Sequence, residues 1–63
     1  MTVIELIHKV KNILPIKKAI IWNPNTSKAL YVGYIDKIPE TLKYKKIKAY
    51  FYNREKERII IRV

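Results

Sequence analysis

Apolar residues at the start of the chain recur every three or four positions, which is the spacing of one face of an α-helix. Thr2 and Glu5 have the spacing of a capping box at the helix N-terminus. Pro15 disfavours helical backbone at the residue before it, so the pattern predicts an amphipathic helix over residues 2–14. The apolar stripe of this helix consists of Val3, Leu6, Ile7, Val10, Ile13 and Leu14.

The next segment alternates with the period of a β-strand. Residues 17–23 form the first predicted strand, with Ile20 and Trp22 on one face and Ala19 and Ile21 on the other. The run Asn23 to Ser27 combines Asn, Pro, Thr and Ser, a composition typical of a turn.

Residues 28–35 form the second predicted strand, with Leu30, Val32 and Tyr34 on one face. Its other face carries Gly33, the only glycine of the chain. A glycine inside a strand marks either a β-bulge or a close approach by another backbone or a ligand, and we expect the bulge.

The connection over residues 36–45 contains a second, shorter helical signal. Pro39 suits the first position of a helix and Glu40 suits its first turn, where a negative charge is favoured. Ile38 and Leu42 are then expected to pack inward.

Residues 46–63 have the pattern of an antiparallel hairpin: two runs rich in β-branched and aromatic residues flank the polar link Asn53 to Glu57. Alternation predicts one apolar face for burial and an opposite face that is basic and aromatic. The predicted inward residues are Ile47, Ala49, Phe51, Ile59, Ile61 and Val63. The predicted outward residues are Lys48, Tyr50, Tyr52, Arg58, Ile60 and Arg62.

These elements predict a two-layer α+β fold in which one amphipathic helix and one short helix pack on a four-stranded antiparallel sheet. Residues 1–63 form a single small basic domain. With so small a core, we expect the second sheet face to stay open unless a partner covers it. The strand order stays undetermined, because the connection fits either a meander or a crossover.

The charge of the chain changes this picture, because 14 Lys and Arg against 5 Asp and Glu give a formal net charge of +9. Such a balance favours polyanionic partners, although it also fits a lysine-rich composition that only solubilises the domain. The chain has no cysteine, no apolar run of the length of a membrane span and no signal-peptide pattern. We therefore expect a cytoplasmic protein that does not enter membranes.

The sequence offers little for catalysis. The single histidine, His8, lies off the apolar stripe of the first helix, and no pattern of metal ligands accompanies it. Glu5 and Glu40 are explained by helix starts, and Glu55 and Glu57 lie among cations in a turn. We expect no enzyme activity, no cofactor and no metal site.

The basic and aromatic sheet face is the strongest functional signal. Lys and Arg side chains neutralise phosphates, and tyrosine rings stack on bases. The leading hypothesis is a binding module for a phosphate-rich ligand, most simply nucleic acid. The alternative is that the rings and cations only stabilise the sheet. The predicted binding residues are Lys48, Tyr50, Tyr52, Arg58 and Arg62.

Three motifs resemble small accessory proteins carried by phages and other mobile elements: residues 2–7, Leu30-Tyr31-Val32-Gly33-Tyr34 and Ile38-Pro39-Glu40-Thr41-Leu42. The resemblance implies a second hypothesis, in which the protein binds and inhibits a host defence protein or captures a nucleotide signal. Such a protein would dock on an acidic surface of its partner or complete the partner's sheet. A third hypothesis is a homo-oligomer, in the simplest case a homodimer, that encloses a small nucleotide between its subunits.

Overall fold

The computed structural model describes residues 1–63 as two helices packed on one face of a four-stranded sheet. A 3₁₀ turn, Ile35–Lys37, precedes the second helix. The elements in chain order are helix α1, Val3–Lys11; strands β1, Lys18–Asn23, and β2, Lys28–Tyr34; helix α2, Glu40–Lys43; and strands β3, Ala49–Asn53, and β4, Arg58–Arg62.

The start of α1 confirms the predicted capping box. The Glu5 backbone N–H donates to the Thr2 hydroxyl oxygen at 3.4 Å, and the Thr2 backbone N–H donates to Glu5 Oε1 at 3.2 Å. The helix ends at Lys11, before the predicted end, because Asn12 caps it and donates from its side-chain amide to the His8 carbonyl.

The sheet order is β2-β1-β4-β3, and the central strands β1 and β4 run parallel. The prediction of an all-antiparallel sheet is therefore wrong for this pair, while both hairpins are antiparallel as expected. The reason is the connection over residues 35–48, which is a crossover and not a meander. It carries the chain from one edge of the sheet to the other, so β4 returns beside β1.

The core lies between the helices and one face of the sheet. From α1 it takes Leu6 and from the crossover Ile38 and Leu42, which pack inward as predicted. The opposite sheet face has no layer over it, as the sequence also indicated. The ten buried residues are Val3, Leu6, Ile7, Ile16, Ala19, Ile21, Ile38, Leu42, Ile59 and Ile61.

Both ends of the chain form backbone hydrogen bonds, one to the segment that precedes β3 and the other to strand β1. The Val3 N–H donates to the Lys45 carbonyl at 3.0 Å, and the Ile47 N–H donates to the Met1 carbonyl at 2.9 Å. These bonds hold α1 beside the segment that leads into β3. At the other end, the Val63 N–H donates to the Trp22 carbonyl of β1.

The β3–β4 register corrects the predicted faces of the hairpin. Asn53 pairs with Arg58, and Tyr50 therefore pairs with the buried Ile61, whereas Phe51 pairs with Ile60. Residues directly opposite each other project from the same face, so the aromatic positions of β3 are exchanged relative to the prediction. The physical reason is the loop over residues 54–57: its even length places 53 opposite 58 and shifts the register by one.

The prediction of a bulge at Gly33 is wrong, because Gly33 pairs in regular register with Ala19 and the bulge of β2 lies nearer its start. The β1–β2 register shifts so that Ala29 and Leu30 both lie opposite Trp22. Gly33 instead accommodates the ring of Tyr31, since a methyl group at Gly33 would lie 2.7 Å from the Tyr31 hydroxyl oxygen. That hydroxyl donates to the Tyr34 carbonyl at 2.7 Å, so the close approach comes from a side chain of the same strand.

Neighbouring isoleucines of β4 test which face is buried. Ile61→Ala removes a side chain that is 0% exposed and should lower the free energy of unfolding by about 2–5 kcal/mol. Ile60→Ala, on the half-buried opposite face, should cost distinctly less. Urea denaturation of both variants measures the difference, and equal losses would contradict the register.

The capping box gives the stability a pH dependence. Hydrogen bonds from the Thr2 side chain and then from the Thr2 backbone lower the pKa of Glu5. This contribution is complete above the unfolded-state pKa of about 4.3 and is lost as pH falls through the lower folded-state pKa. Glu5→Gln should therefore be less stable than the native protein at neutral pH, by a margin that shrinks in acid.

Thermal unfolding of the native protein and the variant from neutral to acid pH measures that margin. Glu55→Gln, in the β3–β4 loop, is the control and should show no such trend. A Glu5→Gln difference that stays constant across this range would disprove a role for the charged carboxylate.

Candidate functional site

The helices leave one face of the sheet uncovered, and we call it the open face. On this face, the residues of neighbouring strands line up in three rows that run across the strands. Partners in register share a face, so each row can be followed from β2 to β3. The first cationic row is Tyr34, Lys18, Arg58 and Asn53. The apolar row is Val32, Ile20, Ile60 and Phe51. The second cationic row is Trp22, Arg62 and Ala49, with the bulge residues Ala29 and Leu30 beside Trp22.

The apolar row lies in the middle of the open face and is accessible at both ends. Val32 on β2 is 65% exposed and Phe51 on β3 is 62% exposed. Ile20 and Ile60, on the central strands, are half-buried between their neighbours. The apolar row is therefore contiguous across all four strands and exposed at its two edge strands.

The cations of the two outer rows have no carboxylate partners. The two ion pairs of the structure join Lys17 to Glu57 and Lys43 to Glu40, and none of these four residues belongs to a row. None of the three rows contains an Asp or Glu. The positive potential of this face is therefore not neutralised by the protein itself.

The aromatic and cationic side chains of the outer rows lie close together. Lys18 Nζ lies 5.6 Å from the centre of the Tyr34 ring, a cation–π distance that holds both side chains over the sheet. Arg58 is half-buried, and its buried Nε has no hydrogen-bond partner. At the opposite end, a shallow cleft of about 180 Å³ has Trp22 and Arg62 among its lining residues.

The structure divides the predicted binding residues between the two sheet faces. Arg58 and Arg62 lie on the open face as expected. Tyr50 and Tyr52 lie on the helix side, because Tyr50 pairs with Ile61 and Tyr52 with Ile59. Lys48 is exposed in the bend that precedes β3, outside the paired residues. The prediction that rings and cations of the last hairpin share one face is therefore wrong.

The helix side nevertheless leaves β3 partly uncovered, because α1 does not extend over this edge strand. Tyr50 is 56% exposed and borders a groove of about 300 Å³ beside α1, together with Val10 and the exposed Ile13. The Tyr52 hydroxyl is buried without a hydrogen-bond partner. Tyr50 also borders the open-face cleft that Trp22 and Arg62 line, whereas Val10 and Ile13 do not.

Sequence reasoning missed four members of the open face: Lys18, Trp22, Tyr34 and Phe51. The signal for two of them was present, since alternation in the first two strands already placed Trp22 with Ile20 and Tyr34 with Val32. Joining them to Arg58 and Arg62 needed the parallel pairing of β1 with β4, which no local pattern indicates.

The structure assembles no group of three or more His, Asp or Glu side chains that could hold a metal ion. His8 is exposed on α1. None of the helices combines the length and the apolar character needed to cross a membrane.

No family model matches this chain, and the comparisons with curated proteins and with solved structures give no significant match.

Proposed function

We propose that the protein is a non-catalytic binding module whose open face engages a phosphate-rich ligand, most simply nucleic acid. The observation that supports this proposal best is the set of unpaired cations, Lys18, Arg58 and Arg62, on a face without acidic residues. The proposal keeps the basic and aromatic sheet face of the sequence hypothesis and replaces its tyrosines by Trp22, Tyr34 and Phe51.

The electrostatics of the whole chain favour such a ligand. A formal net charge of +9 on 63 residues attracts polyanions over the range of the Debye length. When phosphates bind to the cations, condensed counterions are released from the nucleic acid, and this release drives association. The binding constant should therefore fall steeply as the salt concentration rises.

Removing open-face cations should weaken binding more than removing the same charge elsewhere. We expect the double variant Lys18→Gln/Arg62→Gln to bind an unstructured DNA or RNA oligonucleotide more weakly. The slope of log K against log salt concentration should become shallower by about 0.7 for each lost phosphate contact on a single strand. Fluorescence anisotropy titrations at several salt concentrations measure both quantities.

The matched control is Lys9→Gln/Lys11→Gln, which lowers the net charge equally on the exposed side of α1. This variant should keep most of the affinity and the native salt slope. Equal losses of affinity in the two double variants would show that binding depends only on the net charge of the protein and not on the open face. No binding by the native protein at low salt would refute the proposal itself.

A second candidate function is the docking of an acidic host protein on the same face. The exposed apolar row favours it, because Val32, Ile20 and Ile60 offer contact area that phosphates do not use. Cations on both sides of that row would meet carboxylates at the rim of such an interface.

Val32→Lys separates the two functions by the sign of its effect. The substitution adds a cation to an exposed position of β2, so binding of a duplex oligonucleotide, which presents phosphates and not bases, should be retained or strengthened. Docking of a protein on the apolar row should be lost, because the lysine would be buried without a partner. Duplex titrations of the native protein and of Val32→Lys decide between them: weaker duplex binding by the variant would contradict the phosphate-binding function.

A further inference from the structure

We infer that the open face selects single-stranded over double-stranded nucleic acid, with unstacked bases on the apolar row and phosphates on the flanking cations. This inference rests on the proposed function and names its ligand class. The arrangement that supports it is the position of the apolar row between two cationic rows, each in register across the central strands.

The dimensions of the rows suit a short stretch of single strand. Neighbouring β-strands lie about 4.8 Å apart, so the apolar row spans roughly 14 Å from β2 to β3. Adjacent rows are two residues apart along each strand, or about 6.7 Å. Sheet platforms of this size stack two or three bases in known single-strand readers, with the backbone beside the bases.

A duplex cannot place its bases on the apolar row. Its bases are stacked and paired inside the helix, and only phosphates and sugars reach a flat sheet. Phosphates would then lie against Val32, Ile20 and Ile60, which cannot hydrogen-bond to them, at the cost of desolvating the phosphates. Bases of a single strand present apolar π faces to this row and avoid that cost.

A second copy of the chain is a poorer occupant of the open face. Packing two open faces together would bring Lys18, Arg58 and Arg62 of each copy into one interface without any carboxylate on either side. Like charges at short range in a desolvated interface cost several kilocalories per mole, which opposes such a dimer. Charge complementarity therefore favours an anionic ligand.

Phe51 is the ring best placed to stack on a base. It ends the apolar row, is 62% exposed and borders the cleft that Arg62 also lines. Its neighbour Tyr50 is 56% exposed and also borders this cleft, but it pairs with Ile61 and therefore projects from the helix side of the same strand. The two residues therefore form a matched pair, similar in accessibility and opposite in direction.

The first test compares strands. A labelled thymidine oligonucleotide of about twelve nucleotides, within the site sizes of single-strand binders, is titrated at fixed salt beside a duplex of the same length. The single strand should bind at least about fivefold more tightly, since stacking on even one ring contributes at least that factor in affinity. Equal or tighter binding of the duplex would overturn the inference and leave the proposed phosphate-binding function standing.

The second test uses the matched rings. Phe51→Ala should weaken single-strand binding by about 5- to 150-fold, the range expected for the loss of one stacked base, and should leave duplex binding unchanged. Phe51→Leu keeps apolar area without a π face and should lose most of the same affinity. Tyr50→Ala should bind like the native protein.

Circular dichroism of each variant shows whether it is folded before the titrations are compared. A Phe51→Leu variant that binds single strands as the native protein does would exclude stacking, and a loss in Tyr50→Ala equal to that in Phe51→Ala would place the strand on the helix side. Either result overturns the inference. Absence of salt-dependent binding to both oligonucleotides would instead refute the proposed function.

Discussion

The parallel pairing of β1 with β4 is the constraint on which the rest of the structure depends. It aligns Ala19 with Ile59 and Ile21 with Ile61, and these four side chains form the floor of the core beneath the helices. All four are completely buried, so this pair supplies the apolar surface that a chain of 63 residues needs in order to fold. The hairpins then extend the sheet outward from this pair.

The same pairing determines what the open face can bind. Alternation along β1 and β4 sends Lys18, Ile20 and Trp22 outward beside Arg58, Ile60 and Arg62, in register. A rigid central pair thus holds two cationic rows at a fixed distance on either side of an apolar one. Core stability and the geometry of the proposed site are two consequences of one alignment, since any slip that unpaired Ile21 from Ile61 would also separate the cations.

Local features of the fold could be predicted from the sequence, because their causes lie within a few residues. The capping box of α1, the inward face of β4 and the packing of Ile38 and Leu42 all follow from short-range spacing and hydrophobicity. Features that depend on distant residues could not be predicted, and the parallel central pair is the clearest case.

The exchanged faces of β3 show why the proposed site could be found only in part. Every position from Ala49 to Tyr52 is apolar or aromatic, so the residues themselves favour neither face strongly. Phe51 seemed the better core residue, but β3 is an edge strand that α1 does not cover, and Phe51 and Tyr50 are almost equally exposed. The length of the loop to β4 sets the register. The composition of the polar link does not show how many of its residues belong to the loop and how many pair in the strands.

The position of β4 in the chain has a consequence for biosynthesis. This strand lies at the centre of the sheet but follows all the other elements in sequence, and Val63 still bonds back to Trp22. While a ribosome is extending the chain, β1 and β2 can form a hairpin, but the floor beneath α1 is incomplete until residues 58–62 have left the exit tunnel. Folding is therefore delayed until after this last strand is made, and the high sequence separation of the central pair makes it slower than in helical proteins of similar length. Until then the apolar side of the first hairpin is exposed to solvent and to chaperones.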